Sequence, residues 1–384
     1  MTSTAQTNLD WLRVDFTGSL LRPARLQEVA ARYSRGEASE DELRREQDAC
    51  IRDVIAKQEA HGMPVVSDGE FRRANFQDSF GQAVGGFNAG PPDWEPKPLY
   101  DGTTPFRRVE SGLGGSGPAI VNRRPVKERL RLVRNVPLEE YRYVSSVAKT
   151  PAKVTLIGPD RISQRWNYEQ SAPVYQGFHD FLADVVAIER QMIQELVDAG
   201  CRYVHIDAPG YTAYVDEASR AQMQARGEDP DENFARSLQA DNGVILGFPD
   251  VTFGIHLCRG NERSMFHRQG SYDAIAEQLF GVLQHDRFLL EYDTERAGSF
   301  APLRYVPKGK VVVLGLVSTK EPATPTVDEL KRRIEDAARY LPLEQLALSP
   351  QCGFASSVSG NLISEDDQRR KLEMIVETAR QVWG

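Results

Sequence analysis

Cysteines are few in this chain, and long apolar runs are missing. Four cysteines among 384 residues are too few for the disulfide framework that holds small secreted domains together. No apolar run approaches the roughly 18 residues that a membrane-spanning helix needs, and residues 1–10 lack the apolar core of a signal peptide. These absences predict a protein of the reducing cytoplasm, whose cysteines are buried, metal-bound or catalytic. Cys50 and Cys201 lie in a helical pattern and at the start of a strand pattern, and we expect both to serve in packing alone.

Positive charge is not in excess either. The formal net charge of −8 at pH 7 argues against a protein that binds nucleic acid. The hydrophobic content of 40% is that of an ordinary globular protein. The composition therefore predicts small molecules as partners, with neither nucleic acid nor a membrane among them.

What the sequence does contain is an alternation of short apolar runs and longer amphipathic segments. The runs that predict strands lie at 14–16, 63–67, 153–157, 202–207, 251–257, 288–292, 311–316 and 346–348. The segments that predict helices lie at 23–34, 39–61, 174–199, 216–243, 271–284 and 366–382, and a further helix opens at the capping box of 326–329. Eight strands, most followed by a helix, predict an α/β fold, a (β/α)8 TIM barrel in a single catalytic domain, 1–384.

A long segment after the second predicted strand interrupts this alternation. Residues 76–150 are rich in Gly, Pro, aromatic residues and Arg, and the Gly85-Gly86 pair is a turn signal. A bare loop of this length is uncommon, so we expect an insertion with hairpins of its own, lying over one end of the barrel. Four arginines in it would face either an anionic donor or solvent: Arg107, Arg108, Arg123 and Arg124.

The fifth predicted strand ends in a His and a Cys two positions apart. Residues 251–255 are mostly apolar and lead into His256-Leu257-Cys258. Because alternate residues of a strand lie on one face, the imidazole and the thiol can reach a single point. One imidazole and one thiolate are half of a zinc site.

Two other strand ends offer the remaining ligands. Glu291 follows the apolar run of the sixth predicted strand, and Cys352 comes shortly after the eighth. A parallel barrel places its chemistry at the carboxyl ends of its strands, so these side chains can converge with His256 and Cys258. The alternative for Glu291 is an ion pair with Arg259 or Arg296, and a lone His or Cys at a strand end is often only packed.

The ligand types indicate what a zinc ion would do there. Two thiolates and an imidazole donate strongly and weaken the ion as a Lewis acid, which favours binding a substrate thiol over making hydroxide from water. A thiol bound to zinc stays a nucleophilic thiolate at neutral pH, whereas a free thiol with a pKa of about 8.5 is mostly protonated. A carboxylate is the ligand most easily displaced by the arriving thiol, and Glu291 would be that ligand.

Three runs of residues carry a resemblance to a known family: His256-Leu257-Cys258-Arg259-Gly260-Asn261, Leu290-Glu291-Tyr292-Asp293, and Ala347-Leu348-Ser349-Pro350-Gln351-Cys352-Gly353-Phe354. With them, the chain from residue 17 to its C-terminus resembles the short, single-barrel members of the cobalamin-independent methionine synthase family. That family holds zinc with a His-x-Cys pair, a Glu and a Cys at successive strand ends. The resemblance therefore implies a Zn2+ cofactor bound by His256, Cys258, Glu291 and Cys352.

The resemblance also implies a pocket for the amino acid homocysteine. The family's Gly-Ser after the first strand matches Gly18 and Ser19, whose backbone and hydroxyl donors would hold the substrate carboxylate. Its acidic residues after the second and fourth strands match Glu70 and Asp207, which would clamp the ammonium group. Without the resemblance, Ser19 is equally a turn residue, and the two acids are equally surface or helix-capping residues.

The sequence departs from the family where the methyl donor is concerned. The full-length enzymes place a His after the seventh strand for acid–base steps, whereas this chain has Val317-Ser318-Thr319. A folate amine must be protonated to leave, so the missing His weakens the case for a folate donor more than the case for a thiol acceptor. The candidates to replace that His are His205, His267 and Tyr211.

These observations predict a zinc-dependent S-methyltransferase of the cytoplasm, with homocysteine as the first choice of acceptor and methionine as the product. The donor stays open among a methylated folate, a methylated corrinoid protein and a small methyl or epoxide compound. Three other functions also stay open: zinc-dependent alkylation of another thiol such as coenzyme M, zinc-dependent hydrolysis, and a non-catalytic barrel with a structural zinc. Coenzyme M has no ammonium group, so Glu70 and Asp207 would be dispensable for it.

Overall fold

A parallel sheet forms the centre of the structure, a computed structural model that describes residues 9–87, 125–164 and 166–384. An antiparallel hairpin comes first along the chain, made of β1 (Val84–Phe87) and β2 (Val126–Leu132). The sheet follows, with six parallel strands paired in chain order: β3 (Val154–Ile157), β4 (Tyr203–Asp207), β5 (Thr252–Leu257), β6 (Arg287–Glu291), β7 (Val311–Val317) and β8 (Leu346–Pro350). The third to eighth predicted strands are thereby confirmed.

Two extended segments complete the ring between β8 and β3. Val14 forms a single parallel bridge with Leu348 of β8, and Val66 forms one with Ala152 just before β3. The two segments meet each other where Ser67 Oγ donates to Gly18 O at 2.6 Å. The prediction of a first and a second strand is therefore wrong, because within the described residues each of these segments forms a single β-bridge and no ladder. The (β/α)8 fold class itself is confirmed, because both segments occupy their expected places in the ring.

Helices follow most strands, and their apolar faces share one large core with the outer face of the sheet. The α-helices are α1 (Ala24–Ser34), α2 (Glu40–Ala60), α3 (Asp78–Gly81), α4 (Val136–Val147), α5 (Pro159–Gln164), α6 (Tyr168–Ser171), α7 (Phe178–Asp198), α8 (Glu217–Ala225), α9 (Pro230–Ile245), α10 (Ala276–Val282), α11 (Val327–Ala338) and α12 (Glu365–Trp383). Short 3-10 helices lie at Leu9–Trp11, Pro209–Tyr214, Tyr272–Ala274, Glu295–Ala297, Ala301–Tyr305 and Leu343–Gln345. Thr326 and Glu329 form the predicted capping box of α11. Within the described ranges, no helix is both long and apolar enough to cross a membrane.

The predicted insertion differs from the structure at its end. The hairpin β1–β2 agrees with the expectation of strands inside 76–150, and its Arg129 pairs with Asp180 of α7 at 2.7 Å. The segment between its strands, with the four arginines named above, lies outside the described residues. The last part is α4, which begins after the N-cap Asn135 and has Pro137 in its first turn. An Asn at the N-cap and a Pro in the first turn are both typical of the start of a helix. The prediction of an insertion with hairpins across 76–150 therefore missed this helix.

The interior of the ring is partly polar. At the amino ends of the strands, the buried carboxylate of Asp15 accepts hydrogen bonds from Lys153 (2.7 Å), Tyr203 and Arg287 (3.1 Å). Three strands contribute a small apolar group that is separate from the large core: Leu289, Val311, Val313 and Ala347. The carboxyl ends of the strands are thus the part of the interior left for a polar site.

Candidate metal centre

The predicted site residues lie at the carboxyl ends of four strands. Asp207 is the last residue of β4 and is in register with His256 on β5. Glu291 is the last residue of β6, and Cys352 follows the end of β8 by two positions. Because the strands are parallel and paired in sequence order, these residues meet at one rim of the barrel.

Three of the four predicted metal ligands converge at this rim. A ring nitrogen of His256 and the sulfur atoms of Cys258 and Cys352 lie within 4.8 Å of one another, and all three residues are buried. His256 Nδ1 lies 3.1 Å from the carbonyl oxygen of Leu289, which can only accept, so Nδ1 carries the proton. In the neutral ring, Nε2 therefore presents its lone pair, and it has no hydrogen-bond partner among the described residues. A buried, unpaired imidazole nitrogen beside two thiols fits a zinc ion well.

The electrostatics of this group favour a bound cation. The Cys352 thiol and the His256 imidazole lower the pKa of Cys258 well below its usual range. Burial disfavours the charged imidazole, but the Cys258 thiolate raises the pKa of His256 to about 8. The other two cysteines behave differently, because burial raises the pKa of Cys50 and of Cys201 to about 12. All four cysteines are free thiols. At the rim, the hydrogen bond to Cys258 and burial raise the pKa of Cys352 well above its usual range, so the two sulfurs share one proton and only Cys258 is prepared as a thiolate.

Glu291, the fourth predicted ligand, is not part of the converging group. Its Oε1 accepts from Arg296 Nε and its Oε2 from the Arg259 backbone N–H, both at 2.8 Å. Burial alone would raise the pKa of Glu291, but Arg296, Arg259 and Lys320 together lower it to about 2. The structure thus places Glu291 in the ion pair with Arg296 that was its alternative role.

The four predicted substrate-binding residues lie beside the metal ligands. Ser19 is buried, its carbonyl accepts from Phe354 N at 3.0 Å, and its hydroxyl lies so close to Gly353 that a Cβ there would clash with it. Gly18 has a φ of 141°, and a Cβ on it would lie 3.6 Å from Glu70 Oε1. Gly18 and Ser19 therefore bridge the space between the residue after Cys352 and the carboxylate of Glu70.

Glu70 and Asp207 both offer an unpaired carboxylate oxygen to this space. Glu70 Oε2 and Asp207 Oδ1 are buried and have no hydrogen-bond partner within the described residues. Burial raises the pKa of both carboxyl groups, that of Asp207 to about 8. Glu70 also has a φ of 60°, a conformation that non-glycine residues rarely adopt and that is often found at functional sites. Glu70 Oε1 already lies 3.7 Å from Arg73 Nη1, so the oxygens left for a further positively charged group are Glu70 Oε2 and Asp207 Oδ1.

One acid that the sequence did not single out belongs to the same pocket. Asp68 is buried, its Oδ1 accepts from Glu70 N at 2.8 Å, and its Oδ2 has no partner in the described parts of the chain. Asp68 and Glu70 are two positions apart in one short run, which is the signal that could have revealed it.

The candidates to replace the missing His are placed differently. Tyr211 donates its hydroxyl proton to Asp241. His205 lies on β4 two residues before Asp207, which is in register with His256, and the centres of the two histidine rings are 6.1 Å apart. The His267 side chain packs against Gly260 near the rim, where burial and neighbouring cations lower its pKa to about 3. The residue that reaches the rim from the loop after β7 is Lys320, which the sequence did not indicate.

Comparisons with known proteins find related sequences and the same fold. The family model described as cobalamin-independent synthase, catalytic domain, matches residues 121–381. The uncharacterized protein YxjG of Bacillus subtilis (strain 168) is 37% identical over 382 residues, which are 97% of this chain and 94% of that protein. A methionine synthase of Saccharolobus solfataricus is 24% identical over 383 residues, 98% of this chain and 96% of that protein. A crystal structure from Listeria monocytogenes, of a candidate vitamin-B12-independent methionine synthase, has a TM-score of 0.72 at 27% identity and covers 97% of this chain and 98% of that chain.

Proposed function

Because the chain belongs to the cobalamin-independent methionine synthase family, we propose that it is a zinc-dependent methyltransferase whose acceptor is the thiol of homocysteine and whose product is methionine. The observation that carries this proposal is the convergence of His256 with the thiols of Cys258 and Cys352 within 4.8 Å, with an unpaired imidazole nitrogen among them. An imidazole and two thiolates are the ligands expected of a zinc site that binds thiols.

His256, Cys258 and Cys352 would hold the zinc ion. The ion would lower the pKa of the acceptor thiol and keep it as a nucleophilic thiolate at neutral pH. Three protein ligands leave a coordination position for the substrate, which is characteristic of catalytic rather than structural zinc. Glu291 stays our candidate for a labile fourth ligand, and it would have to give up its bond to Arg296 in that role.

Glu70 and Asp207 would bind the ammonium group of the amino acid between their unpaired oxygens. Ser19 would donate its hydroxyl hydrogen to the substrate carboxylate, with backbone donors near Gly18 assisting. This arrangement would hold the amino acid beside the metal ligands, since the Ser19 hydroxyl lies against the residue that follows Cys352. It predicts a preference for an amino-acid thiol over coenzyme M, which has no ammonium group to occupy the acidic pocket.

In the transfer step, the thiolate sulfur attacks the methyl carbon of the donor. The new S–C bond forms as the bond between carbon and donor breaks, and the electron pair leaves with the donor. A folate amine needs a proton to leave, and Lys320, the residue at the rim after β7, has its hydrogen-bond donors engaged by a neighbouring loop. Lys320 is thus not placed to supply that proton, and the donor stays open among a methylated folate, a methylated corrinoid protein and a small methyl or epoxide compound.

The experiment that tests the proposal is calorimetric titration of the zinc-loaded protein with homocysteine, coenzyme M and glutathione. We expect selective binding of homocysteine with release of about one proton, because a free thiol is mostly protonated at pH 7. The variant Cys352→Ala should lose this binding. Cys201→Ala is the matched control, since Cys201 is equally buried but lies at the start of β4, away from the rim, and it should bind homocysteine as the wild type does.

Other outcomes would assign a different function. Binding of coenzyme M in place of homocysteine would identify an alkyltransferase for that thiol. Zinc binding without binding of any thiol would contradict the methyltransferase proposal and favour hydrolysis or a structural zinc.

A further inference from the structure

The ammonium group of Lys320 is buried beside the loop that carries a metal ligand. Lys320 lies three residues beyond β7, and its Nζ donates to Gly260 O at 2.9 Å and to Asn261 Oδ1 at 2.8 Å. A third acceptor, Met265 O, lies at 3.5 Å. An ammonium group has three donors, so the loop after Cys258 engages all of them. Lys320 is therefore positioned to hold that loop and is not free to transfer a proton.

Asn261 connects Lys320 to the loop that carries the second cysteine. Its Nδ2 donates to the carbonyl oxygen of Gly353, the residue after Cys352, at 2.8 Å. The orientation of the amide is unambiguous, because the Lys320 ammonium can only donate and the Gly353 carbonyl can only accept. The path from Lys320 to Gly353 thus runs through a single side chain between the loops that follow β5 and β8.

The Gly353 carbonyl is also held from the loop after β7. The Oγ1 of Thr319, the neighbour of Lys320, lies 3.1 Å from Gly353 O and 2.8 Å from Gln351 Oε1, and its one hydroxyl hydrogen is shared between these two acceptors. The peptide that follows Cys352 is therefore fixed from two sides. Burial lowers the pKa of Lys320, and the neighbouring Glu291 and Cys352 oppose this shift.

We propose that Lys320 and Asn261 form a brace that sets the spacing between the thiols of Cys258 and Cys352, which makes Lys320 a positioning residue of the metal centre. The inference rests on the proposed metal centre but not on the identity of the acceptor or of the methyl donor. Residues that orient metal ligands through hydrogen bonds commonly change metal affinity by roughly 10–100-fold when they are replaced.

The test uses cobalt(II) as a spectroscopic probe bound by the full-length, metal-free protein. Its affinity is measured by competition with a chromophoric chelator, and its absorption bands report the thiolate ligands and their geometry. We expect Lys320→Met and Asn261→Ala each to weaken cobalt binding by roughly 10–100-fold and to alter the absorption bands. Lys320→Arg, which retains the charge and the donors, should recover part of the loss.

Lys371→Met is the matched control. Lys371 is also buried and donates to a carbonyl after β7, that of Ala323, and among the described residues it has no hydrogen bond to either cysteine loop. This variant therefore reports the general cost of removing a buried lysine, and its cobalt spectrum should equal that of the wild type. A brace also predicts that the double variant Lys320→Met/Asn261→Ala loses little more affinity than either single variant, because both break the same connection.

Unchanged cobalt affinity and spectrum in Lys320→Met would overturn the brace while leaving the metal centre intact, and so would additive losses in the double variant. If Lys320→Met does not fold, Asn261→Ala decides the question by the same two measurements. If the wild-type protein binds no cobalt through its thiolates, the proposed metal centre itself fails, and the brace fails with it.

Discussion

Glu291 is buried at the rim with both carboxylate oxygens bonded to arginine donors. This arrangement explains why the sequence allowed two roles for it, since an anion at a strand end suits a metal and a guanidinium equally well. The two roles exclude each other in part, because the oxygen bonded to Arg296 cannot also bind a metal without exchanging partners. A matched pair of variants can separate them.

We expect Glu291→Gln to lower the cobalt(II) affinity of the metal-free protein by roughly tenfold, because a neutral amide is a weaker ligand than a carboxylate. Homocysteine should still bind to the metal-loaded variant, since its thiol takes the position that the carboxylate leaves. Asp293→Asn is the control, because Asp293 shares Arg296 with Glu291 at 2.7 Å but is not a predicted ligand. Equal losses of cobalt affinity in both variants would mean that Glu291 acts only through its ion pair.

His285 makes the stability of the protein sensitive to pH. It is buried, neither ring nitrogen has a hydrogen-bond partner in the described ranges, and burial together with the Lys310 ammonium lowers its pKa to about 3. A histidine in the unfolded chain has a pKa of about 6.5. Below that pH the unfolded state takes up a proton that the folded state excludes, so the free energy of unfolding decreases as the pH falls toward 3.

We expect His285→Leu to make this decrease less steep by up to about 1.4 kcal/mol per pH unit. Urea unfolding at several pH values between 5 and 6.5 measures the slope. His179→Leu is the control, since His179 is exposed on α7, and its slope should match that of the wild type. If the slope of His285→Leu also matched the wild type, His285 would titrate alike in both states.

At the scale of elements, the strands of the sheet could be predicted because buried parallel strands are continuous apolar runs. All seven residues of β7 are buried, for example, and they read as an unbroken apolar stretch. The first two predicted strands look similar in sequence but form one bridge each. Apolar character indicates that a segment is buried, but it does not indicate how many of its backbone groups form hydrogen bonds with a neighbouring strand. In the second segment, Pro64 has no backbone N–H to donate.

The convergence of His256 with two cysteines was predictable as far as its signals are local. His256 and Cys258 share one strand face through their spacing, and the strand ends bring Cys352 to the same rim. Lys320 could not be predicted in the same way, because its contact with Asn261 joins residues 59 positions apart in two different loops. A lysine after a strand is ordinarily a solvated charge, so its role depends on how the loops after β5, β7 and β8 pack on one another.

At the scale of the whole molecule, the ring depends on an ion cluster at the end opposite the metal centre. The segment around Val14 has only one bridge to the sheet, but Asp15 beside it contacts Lys153, Tyr203 and Arg287, which lie on or beside β3, β4 and β6. Burial alone would raise the pKa of Asp15, but Lys153 and Arg287 hold it well below its usual range. Asp15 thus ties the first segment of the ring to three strands with which it shares no backbone ladder.

We therefore expect Asp15→Asn to lower the free energy of unfolding by about 3–5 kcal/mol, because Lys153 and Arg287 would stay buried without their counter-charge. Urea unfolding measures the loss, and Asp53→Asn is the control, since Asp53 pairs with Arg25 on the surface, where screening makes an ion pair weak. The folded fraction of Asp15→Asn should bind cobalt(II) as the wild type does, because Asp15 lies at the other end of the strands. A loss no larger than that of Asp53→Asn would mean that packing, rather than the buried charges, closes the ring.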